Sequence, residues 1–159
     1  MSTVASFATV VGLVVVGFLL FGRQATSALH LTLIASLAAL ATAGRVLFAS
    51  IANFQPVTFL VLASGISLGP RTGFMVGATS ALVSNFFFGQ GPWTPWQMVA
   101  WGVVGLIGGV MGHSRLLSGR LSMIISGALL SVAFDWFVTL HMYIAFTAHS
   151  WPALVALYL

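Results

Sequence analysis

Apolar runs alternate with short polar or proline–glycine breaks along nearly the whole chain, and the breaks cut it into helices. Residues 4–22 (VASFATVVGLVVVGFLLFG) carry no charge. About 20 residues at a rise of about 1.5 Å cross a bilayer core of about 30 Å, so this run is long enough to span. A second run, 28–48, holds Arg45 near its end and is broken by IANFQP, with Pro56 marking the next start. A short run, 57–68, stops at Gly69-Pro70 in the turn GPRTG. Runs 72–88, 98–112 and 121–146 follow, separated by NFFFGQGPWTPWQ (85–97) and by HSRLLSGR. The last run, 151–159, would reach only roughly 13 Å as a helix, and it reads as a final helix cut short. The pattern predicts an all-α integral membrane protein. The first run is expected to be retained rather than cleaved. MSTVAS lacks the positive n-region of a signal peptide, and the run exceeds the usual apolar core, although ATSA weakly resembles a cleavage site.

Composition agrees with lipid as the solvent. Of 159 residues, 60% are hydrophobic and 4% charged, with mean hydropathy +1.12, whereas a soluble domain carries about 25% charged residues. The sequence pI of about 11.4 rests on five arginines against one aspartate, with no lysine. Those arginines are scattered, so no nucleic-acid face is expected. The absence of cysteine excludes disulfides, thiolate catalysis and cysteine-based metal sites.

The arginines set an orientation. Arg23, Arg71, Arg115 and Arg120 fall in loops on one side and Arg45 lies toward the other, which places the four in the cytoplasm and the N-terminus outside. IANFQP, with Asn53 and Gln55, then shares the outer side with NFFFGQGPWTPWQ. The latter is too broken to span and too aromatic for a plain solvated loop. Gly65/Gly69, Gly73/Gly77, Gly105/Gly109, Gly108/Gly112 and Ala35/Ala39/Ala43 are small residues four apart, the spacing that lets helices approach closely in lipid.

Polar groups at membrane depth are functional candidates by default. Counted from the cytoplasmic ends, Arg45 lies roughly 25 Å along its helix, Asn85 roughly 20 Å and Asp135 roughly 21 Å. Arg45 and Asp135, the only acidic residue, could form a structural pair or face a cavity. Gln97 and Trp101 are four apart on one helical face. With Gln90, Trp93 and Trp96 they could wall a ligand site, or the tryptophans could be interfacial belt residues.

Residues 44–112 resemble the substrate-binding S component of energy-coupling-factor (ECF) vitamin transporters, and the helix layout resembles it over roughly 28–146. FFFGQGPWTPWQMVAWG carries the likeness most specifically, with NFQPVT and GPRTGF in order before it. The resemblance implies a six-helix bundle that captures a vitamin-like micronutrient outside and docks on a transmembrane coupling subunit driven by two cytoplasmic ATPases. It makes helix 28–48 the first core helix and residues 1–24 an accessory helix before a core of 25–159 whose last helix is incomplete. FGQGPWTPWQ becomes a lid over the substrate. Within that layout the candidate substrate contacts are Arg45, Asn53, Gln55, Asn85, Gln90, Trp93, Trp96, Gln97, Trp101 and Asp135, and the resemblance implies a coupling face at Ala35, Ala39 and Ala43. The look of the subfamily suggests a corrinoid such as cobalamin.

No catalytic residue, cofactor or metal site is expected. Asp135 and His141 are six apart and poorly placed for one face, and a metal needs three or four converging ligands. No Walker loop, nucleophile elbow or HExxH appears, so energy must come from a partner or from an ion. Two other readings remain open: a membrane-embedded enzyme acting on a lipid or quinone through Asp135 and a histidine, and a stand-alone ion-coupled carrier.

Overall fold

The computed structural model describes residues 3–22, 27–51, 56–114 and 119–146, with isolated positions 152, 155 and 156. Arg23, Arg115, Asn53, Gln55, His149 and nearly all of the expected last run lie outside the described residues. Among the described residues six helices follow one another: α1 (Thr3–Gly22), α2 (Ala28–Leu47), α3 (Val57–Leu68), α4 (Pro70–Phe88), α5 (Trp93–Ser114) and α6 (Arg120–Phe146). No strand occurs among the described residues. Four of the helices are long and apolar enough to cross a membrane: Val4–Gly22, Ala28–Leu47, Trp93–Ser114 and Leu121–Tyr143. Much of their outer surface is large and apolar, as at Leu20, Leu29, Leu121 and Ile124, which suits a solvent of lipid tails.

Local chemistry sets the helix ends. The Ser27 hydroxyl caps α2 by accepting from the His30 amide at 3.2 Å. Gly69 takes a left-handed φ of 92°, and Pro70 opens α4 directly after it. α5 departs most from expectation, starting at Trp93 rather than at 98. Pro95 falls in its first turn, where a missing amide proton removes no intrahelical bond. Two prolines that read as loop punctuation therefore stand at a helix start. Only Gly89–Pro92 links α4 to α5.

The centre of the bundle is a seam of glycines. A Cβ on Gly73 would fall on the Gly105 carbonyl and one on Gly105 would fall on the Gly73 carbonyl. Gly65 likewise faces Gly105, Gly77 faces the Trp101 carbonyl and Gly109 faces Pro70. α3, α4 and α5 thus meet backbone to backbone, the close approach expected of small residues in lipid. Gly69 belongs to the turn instead. α2 lays Ile34, Ala38 and Ala41 on this block and turns Ala35, Ala39 and Ala43 outward. α1 rests on α4 and α5, with Phe18 and Phe21 around Phe74 at centroid distances of 6.2 and 5.0 Å. α6 is the most lightly held of the core helices, leaning on α5 and one edge of α3. The chain runs up and down, so Phe21, His30, Gly69 and His113 meet at one end, and Val4, Pro92 and His141 at the other.

Candidate substrate-binding site

Arg45, in the last turn of α2, is 8% exposed and reaches α4. Its Nη1 donates to Ser84 Oγ at 2.5 Å and to Asn85 Oδ1 at 2.9 Å. Asn85, 1% exposed, sends its Nδ2 to Thr94 Oγ1 at 2.9 Å and to Gln97 Oε1 at 2.8 Å on α5. The Thr94 hydroxyl donates onward to Gln90 Oε1 at 2.9 Å, and Gln90 Nε2 donates to the Leu82 carbonyl at 2.9 Å. One connected polar network therefore joins α2, α4, the Gly89–Pro92 link and the first turn of α5. The helix register makes this possible: Ser84 and Asn85 stand at the depth Arg45 reaches, and the early start of α5 brings Thr94 and Gln97 beside them.

Aromatic rings enclose the charge. The Arg45 guanidinium carbon lies 4.8 Å from the ring centroids of both Phe88 and Trp101, distances at which a cation is attracted to the ring quadrupole. Trp101 is 1% exposed, donates its Nε1 to Thr58 Oγ1 at 3.1 Å and stacks on Phe134 at 4.4 Å and 15°. Trp96, also buried, lies against Phe137 at 5.4 Å and His141 at 5.1 Å. Trp93 is half-buried, its ring over Gly91. These tryptophans are embedded in the bundle to different depths, with Trp101 part of its core.

The guanidinium has donors to spare. Arg45 Nε and Thr42 Oγ1, one turn apart on the same face of α2, are buried without a hydrogen-bond partner. A buried unsatisfied polar group costs about 1–3 kcal/mol, so an acceptor brought by a ligand would be held firmly here.

The structure brings together Arg45, Asn85, Gln90 and Gln97, with Trp101 against the guanidinium, and places Trp93 and Trp96 along the same end of α5. It does not bring Asp135 to them. Asp135 is exposed on α6, and the Arg45 guanidinium is engaged by Ser84 and Asn85, so of the two readings the structural Arg45–Asp135 pair does not form. Asn53 and Gln55 lie outside the described residues. Sequence reasoning missed Thr42, Thr58, Ser84 and Thr94. Their only signal was a helical register shared with Arg45, Asn85 and Trp101, because most helix-borne hydroxyls bond their own preceding turn, as Ser80 does to Val76. Among the described residues, no three His, Cys, Asp or Glu side chains gather as a metal would require.

A multi-pass helical membrane protein with a polar, aromatic-walled network at one end is the class these features define. The family model of the ECF-type riboflavin transporter S component matches residues 25–156, and the chain belongs to this family. It is a family of transporter subunits and not of enzymes, and its members bind a vitamin and work with a coupling subunit and ATPases. No curated protein and no solved structure matches the chain.

Proposed function

We propose that the chain captures a flavin, riboflavin or a close analogue, at the Arg45 end of the bundle and delivers it through a coupling subunit driven by two cytoplasmic ATPases. The observation that carries this reading is the buried Arg45 cation, held by a hydroxyl, an amide and two rings with Nε unpartnered. A flavin ring offers carbonyl oxygens and ring nitrogens to Arg45 and to the amide of Gln97, and a flat face to the tryptophans. The family match favours a flavin over the corrinoid suggested by the sequence. Asn53 and Gln55 are proposed to complete the site from the α2–α3 loop.

Two subsidiary readings accompany it. Residues 1–24 form an accessory helix, supported by a family match that begins at residue 25. Ala35, Ala39 and Ala43, exposed on α2, form the coupling face.

The substrate is tested by titrating riboflavin into purified protein and following the quenching of its fluorescence, with cobalamin as the alternative. Saturable quenching by riboflavin and no retained cobalamin is expected. Retention of cobalamin with no flavin binding overturns the assignment.

A further inference from the structure

The end of the bundle opposite the Arg45 network holds a cleft of about 440 Å³ between the ends of α1, α2 and α5 and the α3–α4 turn. His30, Arg71, Thr72 and His113 line it, with Phe21 and Met75 among its apolar walls. Three elements that are distant in sequence thus bring a guanidinium and two imidazoles to one opening.

Internal bonds hold the rings in place. The Thr72 hydroxyl donates to the Leu68 carbonyl at 3.2 Å, so it accepts from His30 Nε2 at 3.3 Å. His113 Nδ1 donates to the Gly109 carbonyl at 2.8 Å. Each ring keeps its second nitrogen outside these bonds, where it can face a ligand oxygen. Arg71 is exposed and permanently charged.

Nothing in the chain's side chains can neutralise this cluster. The one acidic side chain in 159 residues is Asp135, and it stands on α6, which contributes no wall to the cleft. The counter-anion must come from outside.

We propose that this cleft binds a phosphate group, supplied by the headgroup of an anionic phospholipid or by free phosphate. Guanidinium geometry matches phosphate oxygens. Basic pockets between helices near the membrane surface hold anionic headgroups, and the Phe21 and Met75 walls suit the start of an acyl chain. The site is separate from the proposed flavin site, so its test stands whatever the substrate.

The test uses the full chain in detergent. Native mass spectrometry compares retention of phosphatidylglycerol and phosphatidylcholine, and a thermal-shift assay adds millimolar inorganic phosphate. Preferential retention of phosphatidylglycerol, by about fivefold, is the scale expected of one arginine near the membrane surface. Arg71→Gln and His113→Gln, both at exposed positions and each checked for a monodisperse size-exclusion peak, should erode that preference, and Arg71→Lys should keep most of it. If the two lipids are retained equally but phosphate stabilises the wild type and not Arg71→Gln, the proposal holds with a soluble source. Equal lipid retention with no phosphate effect, or an unchanged preference in both Gln variants, overturns it.

Discussion

Asn85 is the residue on which the Arg45 network turns. Its carbonyl oxygen accepts from Arg45 while its amide donates to Thr94 and Gln97. Alanine there removes one hydrogen bond each from Arg45, Thr94 and Gln97, at about 1–3 kcal/mol for a buried group left unsatisfied. Asn85→Ala should therefore weaken flavin binding about tenfold or more, read by the same fluorescence titration. Arg45→Lys should not restore what Arg45→Ala loses, because an ammonium cannot serve Ser84, Asn85 and a ligand through a planar fork. Binding by Arg45→Ala equal to the wild type would remove Arg45 from the site.

The residue scale also shows how far the sequence could be read. Counting helical rise placed Arg45 and Asn85 at matching depths, and they do meet. The same count placed Asp135 there and misled, because rise gives height along a helix and not azimuth around it. Phe134, one position away, turns toward Trp101, and the step of about 100° to Asp135 carries it to the exposed side. Ser84 and Thr94 were illegible for a related reason. Whether a hydroxyl bonds its own helix or a neighbour depends on which helix lies alongside, and that is decided by packing.

Two small-residue stripes separate in meaning at the scale of whole helices. The glycines of α3, α4 and α5 face inward onto backbone, whereas Ala35, Ala39 and Ala43 face outward. Gly73→Ala puts a methyl on the Gly105 carbonyl, and overpacking of this kind costs about 1–3 kcal/mol. A clear fall in thermal midpoint is expected. Gly12→Ala, with nothing within 4 Å of the new methyl, should leave the midpoint unchanged or slightly raised. Equal behaviour of the two variants would mean that the seam is looser than described. Ala39→Leu should fold and bind flavin normally yet abolish uptake in cells carrying the ATPase partners, because it thickens the face proposed to meet the coupling subunit. Undiminished uptake would dismiss that face. Both stripes were visible as spacing in the sequence, but spacing alone does not say which one is covered. Helix limits were legible where glycine and proline close a helix, as at Gly69-Pro70, and failed at Trp93, where prolines open one.

For the molecule as a whole, the arrangement of arginines predicts that the proposed flavin end lies outside the cell and the His30–Arg71 cleft within. Cysteine is absent, so single introduced thiols report sidedness cleanly. An impermeant maleimide on intact cells should label Gln90→Cys and spare Arg71→Cys. The opposite result would invert the orientation and with it the direction of capture.

The glycine seam has a thermodynamic consequence for capture. Side chains that meet across an ordinary interface keep rotamers to exchange, but Gly73 and Gly105 have none, so α4 and α5 form a stiff frame. Asn85, Thr94 and Gln97 hang from that frame and are oriented before any ligand arrives. These three side chains are then expected to lose little ordering entropy when the proposed ligand binds. Loosening the seam with Gly73→Ala should make the binding entropy measured by calorimetry more unfavourable, even where every hydrogen-bonding group of the site is still present.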